Sequence, residues 1–400
     1  MEAPHPSAVL KNVKGLEFWE WRKDGVLTIE LTGTGILSDE DTAKFAGHHV
    51  GEEHYALVVC EDVDIYRPRG GDAFELFGDE DLASEEERLL ASFRKGVFPK
   101  EVTDEAWKNI RGAATVTDNR GLAGGQIDIE NTRAKPGQKI VIAPGGVGAR
   151  VELANGVLSK TRFANFVNSG TVGFFNAEVR NPFCRQTGYT RANPEQVEKA
   201  MPFIDQISEQ FQRQNPRRWQ NQKDFLLNET GIEKNGWTLG RSVFTTVTVN
   251  KNFRTAVHQD AGDYANGFGN LTVLEGPGGY EGGYLGFPKF KIAVDVRTGD
   301  FLAMDNHQWH GNTQMKTAEG HTEHERISVV CYARYLMKNC ETREREYEKY
   351  KAWMEKYLTP KQKSELTVAE GMAAAEKELL EEAYLRAIFD QIEDEEARSQ

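Results

Sequence analysis

The stretch "FRTAVHQDAGDYANG" (253–267) sets one histidine, His258, beside two carboxylates, Asp260 and Asp263. In extended chain the side chains at i and i+2 point to the same side, so His258 and Asp260 converge. Asp263 falls past the Ala-Gly turn. Such a pair can converge on one metal ion, and a metal site then needs a further ligand from another element; the tripeptide alone is a weak signal. "FLAMDNHQWHGNT" offers two, His307 and His310. Two histidines and one carboxylate on one face of an octahedron leave three positions open, as in non-haem Fe(II) oxygenases. A catalytic zinc site with the same donors is the chemical competitor. Downstream, Arg326 and Ser328 in "ERISVVCYARY" share one side of a strand and can grip a carboxylate. An iron enzyme that uses 2-oxoglutarate needs that grip for the distal end of its co-substrate.

The elements that must position these groups are short. "SVFTTVTVN", "LTVLE", "GGYLGFP", "KIAVDV", "DFLAMD" and "RISVVCYARYLM" are β-rich runs split by Gly, Asp and Asn turns. That pattern predicts an antiparallel sandwich or jelly roll. Upstream, "ANPEQVEKAMPFIDQISEQFQRQ" predicts a helix capped at Asn193, with Pro194 in its first turn and Val197, Met201, Ile204 and Ile207 on one face. "PGGVGAR" lacks the Lys-Ser/Thr of a phosphate loop and reads as a turn. In the first hundred residues "VLTIEL" and "YALVVC" read as strands. "SEEERLLASFRKG" reads as a helix, with Ser84 and Glu87 as a capping box and Gly96 as its stop. After 341 the chain is charged and helical, with starts at Thr359-Pro360 and at a Thr367/Glu370 capping box.

The formal charge of −13 argues against a polyanionic partner, but the middle of the chain, 131–257, is basic between acidic flanks. Cys60, Cys184, Cys331 and Cys340 have no paired spacing, which predicts reduced thiols and excludes a zinc ribbon. No eighteen-residue apolar run and no leader pattern is present. The expected setting is intracellular, cytoplasmic or nuclear, with no membrane and no obligate protein partner.

These motifs resemble the Fe(II)/2-oxoglutarate dioxygenases of the double-stranded β-helix fold. More narrowly, they resemble the group joining the base-J-binding thymidine hydroxylases to the TET 5-methylcytosine oxygenases. The resemblance rests on "FTTVTVNKNFRTAVHQDAGDYANGFGNLTVLE", "GGYLGFPKFKIAVDVRTGDFLAMDNHQWHGN", "ERISVVCYARY" and "NPFCRQTGYTRANPE". It covers about residues 110–340 and implies a mainly β jelly-roll core with supporting helices there, while the unmatched N-terminal residues read as an α/β extension from their own strand and helix runs. The expected division is 1–110, an oxygenase domain over 111–340, and a charged helical extension over 341–400. His310 follows Asp260 by 50 positions and precedes Arg326 by 16. By the resemblance His310 is the distal ligand, His307 a neighbour or a surface residue, and Asp263 a turn former or a partner of His258.

The implied cofactors are Fe(II) on His258, Asp260 and His310, 2-oxoglutarate on Arg326 and Ser328, and O2, with ascorbate as reductant. The implied reaction is hydroxylation of the 5-methyl group of a pyrimidine in DNA, thymine ahead of 5-methylcytosine. The base must be flipped or single-stranded, and stacked on an aromatic ring. Phe174, Phe175, Phe183 and Tyr189 are candidates for that platform, and Arg120 and Arg185 for substrate or phosphate contact. "RQNPRRWQNQK", with Arg213, Arg217, Arg218 and Lys223, could follow a DNA backbone within the basic 131–257 region. The chain departs from the group in having no recognisable module for a glucosylated base and no Cys-rich zinc region. "EGGYLGFPKF" also resembles prolyl hydroxylases. The competing expectations are therefore the same chemistry on a nucleoside, metabolite or peptidyl residue, and a catalytically silent module that binds a modified base.

Overall fold

The structure is a computed structural model that describes residues 3–69, 87–153, 155–159, 162–179 and 181–362. The first hundred residues supply β1 (Val9–Val13), β2 (Leu16–Lys23), β3 (Val26–Leu31), β4 (Leu57–Val59), β5 (Val63–Tyr66) and β6 (Leu89–Arg94). Next come β7 (Val116–Thr117), the hairpin β8 (Lys139–Ile142) and β9 (Ala149–Glu152), β10 (Val167–Phe175) and β11 (Arg185–Gln186). Then follow β12 (Thr246–Lys251), β13 (Gly269–Glu275), β14 (Tyr280–Gly282), β15 (Leu285–Phe287) and β16 (Ile292–Val294). The series closes with β17 (Phe301–Met304), β18 (Gly311–Asn312), β19 (Met315–Thr317) and β20 (Arg326–Tyr332).

One large sheet runs β1-β2-β3-β5-β6-β17-β13-β20-β12-β10-β11, with β7 on β10. A smaller sheet runs β18-β15-β16-β4. Apolar side chains from both sheets, among them Leu271, Val273 and Leu302 against Leu285, Phe287 and Ile292, close one core between them. Each such side chain contributes about 1.5–3 kcal/mol on burial. This is the jelly roll that the β-rich runs predict.

Alternation along the central strands explains why the sheet has two different faces. Val247, Val249, Ile327, Val329 and Cys331 enter a second core beneath the helices. The residues between them, Thr248, Asn250, Ser328, Val330 and Tyr332, line a cavity on the other face. The predicted helix spans Pro194–Gln214 and buries Val197, Ile204 and Ile207 in that second core. Asn193 stands at its N-cap position, yet its side chain donates to the Tyr189 carbonyl instead of capping.

The structure corrects two expectations. The segment read as a helix ending at Gly96 is strand β6, paired with β5 on one side and β17 on the other. Tertiary burial overrides helical propensity there, since Leu89, Leu90, Ala91, Ser92 and Phe93 are all buried. Ser84 of the supposed capping box lies outside the described residues, as do Thr367 and Glu370. Through β6 on β17 and β4 on β16, the N-terminal segment is hydrogen-bonded into both sheets of the core.

The second correction concerns thiols. Cys184 and Cys340 form a disulfide across a sequence separation of 156, while Cys60 and Cys331 are free. A pair so distant in sequence has no spacing signature to read. The bridge ties the entry to β11 to the helix Arg343–Tyr357, whose Tyr350 and Trp353 meet Phe183 edge-on. Closing so long a loop stabilises by about 2–4 kcal/mol. Cys184→Ser is therefore expected to melt several degrees below the parent under non-reducing conditions. Equal melting temperatures in calorimetry would refute that role. Among the described residues no helix is long and apolar enough to cross a membrane.

Candidate metal centre

The chain brings His258 and His310 together through backbone. Each donates its amide N–H to the other's carbonyl, both at 2.9 Å. Gly311 permits this approach, because a Cβ there would sit 3.1 Å from Thr255 O and Val257 N. The imidazoles lie 4.4 Å apart between centroids. Asp260 reaches both of them, with Oδ1 at 3.6 Å from His258 Nε2 and Oδ2 at 3.7 Å from His310 Nε2. One donor atom from each of the three lies within 4.8 Å of the others, and no other such trio occurs among the described residues.

The tautomers suit a metal. His258 Nδ1 is 2.8 Å from the Ala256 carbonyl, and His310 Nδ1 is 2.9 Å from the Gln308 carbonyl. Each Nδ1–H therefore donates to backbone and leaves the Nε2 lone pair facing Asp260. Burial pushes His310 down to about 4, with His258 adding to the effect, so its ring is neutral near pH 7. His307 is used differently. Its ring stands 3.5 Å from Asp305, whose hydrogen bond raises the imidazole above its ordinary value. Burial alone would raise Asp305, but His307 and Arg67 outweigh it and hold the carboxylate at about 2.

Asp263, which parity sets aside, lines the cavity but is not one of the trio. Asn306 Nδ2 donates to Asp263 Oδ2 and, at 3.4 Å, to Asp260 Oδ2, tying the two acids together. Burial and the neighbouring Asp260 charge raise Asp263 well above the usual carboxylate range. An acid at the rim of the trio is thus held toward its neutral form.

The cavity measures about 450 Å³, within the range of small-molecule sites. Arg326 and Ser328 point into it from β20, both buried. Arg326 Nε and Nη2 are buried with no protein partner, and Ser328 Oγ accepts from Asn250 Nδ2 at 3.3 Å. A buried guanidinium with two unmatched N–H edges is costly to leave unpaired, and a carboxylate of the right reach matches both. The donor set thus fits Fe(II), and the Arg326 pocket fits the distal carboxylate of 2-oxoglutarate.

Of the substrate candidates, Arg120 lines the cavity, its pKa lowered by burial while Tyr332 and Asp260 oppose that. Arg185 lies to one side, joined through Glu178 to the cavity residue Arg334. Phe183 and Tyr189 are not part of the lining. Phe183 packs on Tyr350 and Trp353, and the Tyr189 hydroxyl donates to the Asn109 carbonyl at 2.7 Å. Phe174 packs on Trp237 in the helix-side core. The aromatic rings that do line the cavity are Phe253 and Tyr332. Arg218, offered as a backbone contact, is buried over the Phe268 ring, and Lys223 lies over Trp219. Missed in the sequence were Arg334, Asn250, Asn306 and Glu178. For Arg334 the signal existed, since 326, 328, 330, 332 and 334 share one parity.

Residues 171–335 match the Tet_JBP family, described as the oxygenase domain of the 2OGFeDO superfamily. Over 319 residues the chain is 29% identical to the bifunctional helicase and thymine dioxygenase JBP2 of Trypanosoma brucei brucei, covering 78% of this chain and 23% of that protein. It is 32% identical over 172 residues to the thymine dioxygenase JBP1 of the same organism, covering 42% of this chain and 19% of that protein. The chain thus spans about a quarter or less of these relatives' length. Among solved structures, NgTET1 in complex with 5mC DNA aligns over 72% of this chain and 84% of that one, with a TM-score of 0.42 and 13% identity.

Proposed function

We infer that this chain, which belongs through residues 171–335 to the Tet_JBP oxygenases of the 2-oxoglutarate/Fe(II) superfamily, hydroxylates the 5-methyl group of a pyrimidine in DNA, thymine ahead of 5-methylcytosine. The observation that carries the chemistry is the coincidence, in one cavity, of the His258–Asp260–His310 trio with the unmatched guanidinium of Arg326. A module that only binds a base has no use for that pairing. The names of the relatives, thymine dioxygenases, carry the choice of base.

In this reading the Nε2 atoms of His258 and His310 and one oxygen of Asp260 hold Fe(II). Arg326 and Ser328 hold the distal carboxylate of 2-oxoglutarate. With O2 these cofactors supply the oxidant for a C–H bond, one oxygen atom ending in the new hydroxyl and the other in succinate, with CO2 released. The chain's own share is positioning. Asn306 fixes Asp260, and the Ala256 and Gln308 carbonyls fix the two rings. DNA is the proposed partner, met through the basic 131–257 region, and the setting is intracellular or nuclear.

Incubation of the full chain with Fe(II), 2-oxoglutarate, ascorbate and DNA, followed by nucleoside mass spectrometry, tests this. The expected product is 5-hydroxymethyluracil from thymine DNA, in excess of any product from 5-methylcytosine DNA. Succinate formation that responds to free thymidine or to a peptide, and not to DNA, would refute the DNA assignment and keep the oxygenase.

A further inference from the structure

Beside the cavity, two arginines and one ring form a unit with no role in holding iron or 2-oxoglutarate. Arg185 pairs with Phe175 across β10 and β11, and its guanidinium lies 5.1 Å from the Phe175 ring centroid. Arg334, two residues beyond the end of β20, covers the same ring, also at 5.1 Å. The two cations thus share one aromatic ring. Both reach a single carboxylate, Glu178, at 3.7 Å each.

The pairing is unequal in a telling way. Arg185 and Arg334 side chains are 17% and 21% exposed, whereas Glu178 is 43% exposed. Arg185 Nη1 is buried with no acceptor. Burial lowers the Arg185 pKa while Glu178 pushes it back up. Arg334 Nε donates to Asn176 Oδ1 at 2.9 Å, which fixes its plane. Glu178 sits in the connection between β10 and β11, next to Val179, which is 98% exposed. Two ordered cations, one desolvated and short of an acceptor, therefore share one loosely held anion at the edge of the cavity.

We propose that Arg185 and Arg334 are a clamp for the strand phosphate beside the target base, and that Glu178 is a displaceable plug occupying it in the free protein. This rests on the DNA-oxygenase reading above. A phosphodiester carries one negative charge on two non-bridging oxygens and can take an N–H edge from each guanidinium, which one carboxylate at 3.7 Å does poorly. The plug also keeps two adjacent cations neutralised when no strand is bound. A nucleoside monophosphate offers related chemistry, so the test separates the two sources.

The experiment is fluorescence anisotropy of a labelled thymine-containing single strand on the full chain, loaded with Fe(II) and 2-oxoglutarate without O2, across a salt series. Glu178→Gln is expected to tighten binding about 5–10-fold, and Arg185→Gln to weaken it about 10-fold with a log–log salt slope smaller by about 0.7. In the double variant the gain from Glu178→Gln should vanish. Glu178→Gln is isosteric and half-exposed, so tighter binding cannot arise from misfolding. Unchanged affinity in Glu178→Gln, or an unchanged slope in Arg185→Gln, overturns the clamp. With thymidine 5′-monophosphate as competitor, an Arg185→Gln loss confined to the monophosphate overturns the strand assignment, and a loss shared by the strand supports it. Failure to oxidise thymine with the binding pattern intact refutes the enzymatic reading alone. Oxidation of thymine with binding indifferent to both substitutions refutes the clamp alone.

Discussion

His310→Ala should retain the fold and lose both iron and turnover. The fold survives because His310 is held by backbone to His258, so its side chain contributes little to the pairing. Loss of an outer partner of a metal ligand already costs about 10–100-fold in affinity or activity. Removal of the ligand itself should cost more, to below about one-hundredth of parent activity. Iron content by mass spectrometry and succinate release are the measurements, with circular dichroism as the check on folding. His307→Ala is the contrast. Its ring serves Asp305, so that variant should lose stability and keep its iron. If His310→Ala kept iron and turnover while His307→Ala lost both, the ligand assignment would be reversed.

Arg326→Gln should leave the metal in place and destroy the affinity for 2-oxoglutarate. Removing one member of a buried charged pair costs about 3 kcal/mol, or roughly 100-fold. The loss should appear in the KM for 2-oxoglutarate far more than in the affinity for DNA. Arg326→Lys, a point charge without the planar fork, should recover only part of it. The guanidinium meets Tyr280 but keeps Nε and Nη2 buried and unmatched, so these two donors are free for the co-substrate. An unaltered KM for the co-substrate would remove Arg326 from the site.

Much of this centre was legible because parity in extended chain is local. The i, i+2 relation selects Asp260 with His258, and Arg326 with Ser328, without knowledge of the fold. The β-rich character of 242–335 was legible for the same reason. Pairings over long distances were not. Nothing near Cys184 announces Cys340, and nothing near Phe175 announces that Arg185 and Arg334 share its ring. The strand β6 was misread because "ERLLASFRKG" is a good helix by propensity, and only its burial between β5 and β17 makes it a strand. Phe183 and Tyr189 were misplaced by a related fault. Residue type and neighbourhood cannot say which side of a sheet a loop aromatic will pack on.

The reciprocal bond between His258 and His310 has a consequence for the order of assembly. Small metal domains such as zinc fingers fold only when the ion arrives, because the ion is what brings their ligands together. Here the sheets do that work, and both rings already have their Nδ1–H directed to main-chain carbonyls. A chelator is therefore expected to remove the ion without unfolding the chain, which circular dichroism before and after chelation checks. A receptacle finished in advance also admits any divalent ion of suitable size, and copper or zinc would outcompete iron on affinity alone. Activity after purification is therefore expected to depend on the metal offered last.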